Sequence, residues 1–118
     1  MDVTCLGVVG AGQMGSGIAQ VAAASGLSVV MNDINGALVE KGFSTIEKSL
    51  ARMVKKEKIT ESEKASIMGR IEGSLSLEDM SKVDFVVEAA TERVDLKLDI
   101  FRKLDSVCRP GVILSSNT

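Results

Sequence analysis

Short apolar runs alternate along this chain with longer stretches in which apolar residues recur every three or four positions. The first kind reads as buried strand and the second as amphipathic helix. Residues 2–9 form the first run, ending Leu-Gly-Val-Val. A helix follows over 12–25, with Ala19, Ala22, Ala23 and Ala24 small enough to pack close to a sheet and Gly26 placed to cap it. Residues 27–32 read as a strand covered on both faces. A long helix over 36–57 carries Val39, Phe43, Ile46, Leu50, Met53 and Val54 on one stripe. Thr60-Glu61-Ser62-Glu63 has the form of a capping box and starts a second helix that ends near Gly69. A short strand is expected at 71–75, a turn or short helix at 76–82, and a β-branched strand at 83–89. The last helix, over 93–107, places Val94, Leu98, Phe101, Leu104 and Cys108 on one face. Arg109-Pro110-Gly111 breaks it, and 112–115 form the final strand.

Strands alternating with helices predict an α/β fold with a parallel sheet and right-handed crossovers. Counting the short strand at 71–75, five strands follow the order 3-2-1-4-5. That is a doubly wound sheet of the Rossmann type, whose sixth strand would fall beyond Thr118. With no repeat, low-complexity stretch or linker, residues 1–118 are expected to be one domain, incomplete at its carboxyl end. The junction of the first strand and first helix suggests its ligand. Gly10, Gly12 and Gly15 fit G-x-G-x-x-G, with Ala11, Gln13 and Met14 between them. Between a strand and a helix, this loop holds a pyrophosphate. The first glycine makes the tight turn, the second lets backbone approach phosphate, and the third lets helix pack on strand. The helix start adds free N–H donors.

Other strand ends supply further candidates. Asp33 ends the second strand about twenty residues after the loop, the spacing of an acid that binds the adenine ribose of NAD and repels the extra phosphate of NADP. The alternative is a turn aspartate capping the next helix. Glu92 closes the first turn of the last helix, where a dipole-stabilising acid is also expected. Lys97, by spacing alone, reads as a solvated surface lysine. Ser116, Asn117 and Thr118 end the fifth strand and could equally cap a following helix. Ser49 and Lys56 lie two turns apart on one helix face. Lys56 belongs with Lys55 and Lys58 to a basic cluster that suits either a phosphate-bearing substrate or a solvated helix end.

Composition narrows the classes. The net charge of −2 offers no basic surface to nucleic acid or an anionic membrane. No apolar run is long enough to span a bilayer. Cys5 and Cys108 lack metal-ligand spacing and read as small buried hydrophobes in a reducing compartment, so a cytoplasmic protein without a metal is expected. The chain has no histidine, tyrosine or tryptophan. Histidine is the commonest general acid or base near neutral pH, so no catalytic residue is assigned here.

Gly-Val-Val-Gly-Ala-Gly-Gln-Met-Gly-Ser-Gly-Ile-Ala-Gln-Val-Ala-Ala resembles the opening of the 3-hydroxyacyl-CoA dehydrogenases, especially the bacterial 3-hydroxybutyryl-CoA dehydrogenases. The similarity continues collinearly through Val-Val-Glu-Ala-Ala-Thr-Glu, Lys97, Phe101-Arg102-Lys103-Leu104-Asp105 and Leu114-Ser115-Ser116-Asn117-Thr118. The resemblance implies that Asp33 binds the adenosine ribose and that Glu92 and Lys97 contact NAD. It implies that Ser49 and Lys56 reach the CoA of an acyl-CoA substrate, and that Asn117 sits near the nicotinamide and the acyl group. The family's reaction is reversible NAD-linked oxidation of a (3S)-3-hydroxyacyl-CoA. Its catalytic histidine, the partner glutamate and the helical C-terminal domain would lie beyond Thr118. Glu88, inside a strand, is expected to be structural. The chain therefore reads as the NAD-binding part of such an enzyme, inactive alone and prone to self-association at its bare fifth strand. The alternative is a stand-alone nucleotide-binding or sensor module.

Overall fold

The computed structural model describes residues 4–89, 94–108 and 113–116. Five parallel strands form one sheet: β1 (Cys5–Val9), β2 (Ser28–Asn32), β3 (Ile71–Ser74), β4 (Phe85–Glu88) and β5 (Ile113–Ser116). Their order is β3-β2-β1-β4-β5, as the alternation of elements predicts. The connecting helices are α1 (Gln13–Ala24), α2 (Gly36–Lys55), α3 (Glu61–Gly69), a 3-10 helix over Leu77–Lys82, and α4 (Val94–Val107).

The pleat sends alternate side chains to opposite layers. Leu6 and Val8 of β1, with Val29 and Met31 of β2, meet Ala19, Ala22, Ala23, Ile46, Leu50 and Ile67 from α1, α2 and α3. Val9, Val30 and Val86 face the other way, onto Met80, Val83 and Leu104. Gly7 lies between Val30 and Val86 in register. A Cβ there would come within 2.4 Å of the Met80 sulfur, so the glycine leaves the space that Met80 fills.

Local chemistry sets the element ends. Thr60 and Glu63 make the expected capping box at the start of α3. Gly26, at φ 98°, ends α1 in a Schellman motif, with Leu27 N–H bonded to Ala22 O at 3.1 Å. The strand expected over 83–89 is shorter, because Asp84 turns its carboxylate to the N–H groups of Thr4 and Cys5 at 2.9 and 3.0 Å. Cys5 and Cys108 form no disulfide and are half-buried rather than buried. One opens β1 and the other follows α4, so each only borders the second apolar layer.

Helix α2 stops at Lys55, two residues before its expected end. Glu57 adopts φ 59°, and Lys58 N–H reaches back to Met53 O at 2.9 Å. This is a second Schellman motif with a glutamate in the position that favours glycine, where a side chain costs about 1 kcal/mol. Glu57→Gly should therefore raise the stability of the chain by about 0.5–1 kcal/mol, read as a higher midpoint of urea denaturation. A lower midpoint would contradict the strain.

Candidate functional site

Strand order reverses between β1 and β4, so the carboxyl ends of these strands open a crevice. The glycine loop lies at its mouth. Gly10 turns the chain out of β1 at φ 110°, a conformation glycine alone adopts freely. A Cβ on Gly15 would lie 1.8 Å from the Gly10 carbonyl oxygen and 3.4 Å from Val8. Helix α1 can begin over β1 only because that atom is missing. At Gly12, by contrast, a Cβ would meet nothing within 4 Å. The fold itself demands the first and third glycines. The second leaves open space over which only something from outside the described residues would pass.

Helix α1 starts at Gly12 with no side-chain cap and no acid in its first turn. Helix α2 is capped by Asn35, α3 by Thr60 and the 3-10 helix by Ser76. The positive end of α1 thus remains available to an anion.

Asp33 follows β2 directly beside this loop. Its Oδ2 accepts the Ala11 N–H at 2.8 Å and its Oδ1 accepts the Ile34 N–H at 2.7 Å. It does not cap α2, because Asn35 Oδ1 accepts the Leu38 N–H at 2.9 Å. The carboxylate stands half-buried at a cavity of about 120 Å³ walled by Gly10, Asn32, Ile34, Leu75, Leu77 and Ile100. Ile34 and Leu75 are otherwise unusual, at 83% and 61% exposed. Apolar walls with a carboxylate at the rim suit a flat base joined to a diol.

Gly10, Ala11, Gly12, Gln13, Met14, Gly15 and Asp33 are therefore brought together. Ser49 and Lys56 are not part of that group. Ser49 sits on α2 against α1, where Gln20 Nε2 donates to its hydroxyl at 3.0 Å. Lys56, exposed, caps the far end of α2. Lys97 falls in the first turn of α4, its side chain outside the described residues, and Glu92 and Asn117 lie wholly outside them. Glu88 is completely buried in β4.

Two contributors escape sequence reading. Gly42 lets α2 press on the loop from behind: a Cβ there would lie 2.9 Å from Ala11 O and 3.0 Å from Ala11 Cβ. Its signal is a glycine inside an amphipathic helix, where it costs about 1 kcal/mol against alanine and needs a packing reason. Asn32, 5% exposed, is a buried amide in a strand of apolar residues.

Fold and site together define a dinucleotide-binding domain of the Rossmann type. The family model for the 3-hydroxyacyl-CoA dehydrogenase NAD-binding domain matches residues 5–118. The chain belongs to that family. It is 42% identical over 113 residues to the 3-hydroxybutyryl-CoA dehydrogenase of Bradyrhizobium diazoefficiens, covering 96% of this chain and 39% of that protein. To the Mycobacterium tuberculosis 3-hydroxybutyryl-CoA dehydrogenase it is 43% identical over 114 residues, covering 96% of this chain and 40% of that protein. The crystal structure of (S)-3-hydroxybutyryl-CoA dehydrogenase from Ralstonia eutropha superposes with a TM-score of 0.97 at 50% identity, over 99% of this chain and 41% of that one. The chain thus spans about two fifths of the length of the relatives it matches.

The glycine contrast is testable in the chain without ligand. Gly15→Ala should lose about 3 kcal/mol, since a backbone oxygen must move. Gly12→Ala should stay within about 1 kcal/mol of the parent. Equal losses in urea denaturation would refute the division of roles.

Proposed function

We propose that Gly10, Ala11, Gly12, Gln13, Met14, Gly15 and Asp33 hold NAD, with Glu92, Lys97 and Asn117 completing its site. The chain is then the cofactor-binding part of an enzyme that interconverts (3S)-3-hydroxyacyl-CoA, in particular 3-hydroxybutyryl-CoA, and the 3-oxo thioester. The observation that carries this reading is the Asp33 carboxylate, held by Ala11 N–H at the edge of the loop. Bound NAD would supply the hydride acceptor. This chain's residues would do the rest by position: the start of α1 neutralises pyrophosphate charge, Asp33 accepts from the ribose hydroxyls, and the Ile34 and Leu75 walls exclude water from the base.

Ser49 and Lys56 are proposed to reach the CoA portion, supported by their shared face on α2 and the exposed lysine at its end. The parent enzyme is proposed to act in fatty acid metabolism in the cytoplasm, in keeping with two cysteines that form no disulfide. The net charge of −2 on these 118 residues gives nothing to steer them to nucleic acid or an anionic membrane. Among the described residues, no helix is long and apolar enough to cross a membrane.

Calorimetry tests the cofactor. NAD should bind at least tenfold tighter than NADP, because the Asp33 carboxylate opposes a second phosphate. Asp33→Asn keeps an acceptor for Ala11 N–H but removes the charge, and should narrow that gap. In the same sample 3-hydroxybutyryl-CoA should give no sustained NADH absorbance, since the chain has no histidine to act as base. Adenine nucleotides binding with no preference for NAD would favour a stand-alone nucleotide module instead, and sustained turnover would sink the inactive reading.

Self-association belongs to the same proposal. Strand β5 stands at the sheet edge among the described residues, and α1 exposes Met14 and Val21 around an open apolar groove. Light scattering should find species larger than a monomer at high concentration. A clean monomer would refute it.

A further inference from the structure

We propose that Asn32 reads the base of the bound dinucleotide, selecting a 6-aminopurine over a 6-oxopurine. The inference rests on the NAD reading above and adds a specificity residue to it.

Asn32 is the last residue of β2, only 5% exposed, and it lines the cavity beside Asp33. A buried amide must be satisfied, and the direction of each bond around it is determined. Asn32 Nδ2 lies 3.1 Å from Ser74 Oγ and 3.4 Å from the Ser74 carbonyl oxygen. A carbonyl can only accept, so the nitrogen of the amide faces Ser74. The Ser74 hydroxyl has one hydrogen and two acceptors for it, Asp79 Oδ2 at 2.7 Å and Ser76 O at 2.8 Å. Whichever takes the hydrogen, Ser74 Oγ can only accept from Asn32. The run Asp79–Ser74–Asn32 is therefore polarised in one direction. It commits the amide nitrogen to the protein and leaves Oδ1, an acceptor, as the polar atom that Asn32 offers to the cavity.

Among the described residues, the side chains that line that cavity near the carboxyl edge are apolar or present an acceptor: Ile34, Leu75, Leu77 and Ile100 on the one hand, Asp33 and Asn32 Oδ1 on the other. A base seated there needs a donor. The exocyclic amino group of adenine supplies one. The 6-oxo group of hypoxanthine would set two acceptors face to face and leave both unsatisfied, the kind of mismatch that polar sites reject strongly. Ser74 and Asp79 act through Asn32 and are positioning residues.

The test is calorimetric titration of this chain with NAD and with its hypoxanthine analogue, nicotinamide hypoxanthine dinucleotide. NAD should bind about tenfold more tightly. Asn32→Val should bring NAD down to the affinity of the analogue, and Ser74→Ala, which frees the amide to rotate, should narrow the gap. Circular dichroism would confirm that each variant folds; should Asn32→Val fail, the parent comparison and Ser74→Ala still decide. Equal affinity of the parent for both dinucleotides, a gap unchanged in the variants, or a loss of the same size for both ligands overturns the role of Asn32. If neither dinucleotide binds the parent, the NAD reading itself falls and this inference with it.

Discussion

Three backbone segments meet at the loop between β1 and α1, and no side chain fits between them. The Gly10 carbonyl occupies the space where a Gly15 side chain would stand, and the Ala11 carbonyl presses on Gly42 of α2. Close packing leaves no slack at such a point, so adding one methyl must displace a main chain. The consequences spread through half of the molecule. Helix α1 starts directly over the end of β1, α2 lies against the loop from behind, and the Ala11 N–H is aimed at Asp33. A loop held this way is ordered before any ligand arrives, which lowers the entropy a ligand must overcome on binding.

Capping follows the same logic. An N-cap side chain contributes about 1 kcal/mol to a helix, and Asn35, Thr60 and Ser76 provide caps where their elements begin. Helix α1 forgoes that contribution at its start beside the crevice. The division of labour around β2 matches it. Asn35 takes over the capping of α2, which leaves the Asp33 carboxylate to brace the loop and border the cavity. A single carboxylate thereby couples the integrity of the loop to the recognition of whatever binds there. That coupling is why replacing its charge alone is more informative than removing the side chain.

The two layers of the sheet have different duties. Helices α1, α2 and α3 cover one face with a continuous apolar core, while the 3-10 helix and α4 cover the other and flank the cavity with Leu77 and Ile100. Buried polar residues are concentrated at the carboxyl edge of the second face, where Asn32 and Glu88 lie in register on either side of Val9. Elsewhere in the sheet, among the described residues, the interior is apolar. Polar groups cost free energy to bury, and this molecule tolerates them next to the crevice.

Much of this architecture is legible in the linear sequence. Element types follow from hydrophobic period, the capping box at Thr60 from a four-residue pattern, and the end of α1 from Gly26. The order of the strands follows from the handedness of crossovers, and the loop from glycine spacing. All of these are short-range or topological rules, so a chain read in order contains them. The partners of Asp33 and Asn32, the pressure of Gly42 on Ala11, the Met80 sulfur filling the space over Gly7, and the left-handed Glu57 are different. The first four depend on atoms brought together from distant parts of the chain, and glutamate gives no local signal for the fifth. Whether a hydrogen bond or a close contact forms turns on a few tenths of an ångström, and only the packed tertiary structure sets that distance. The sequence by itself determined which elements form and where a phosphate would sit; the tertiary structure decided which glycines are obligatory and which way the polar groups at the crevice point.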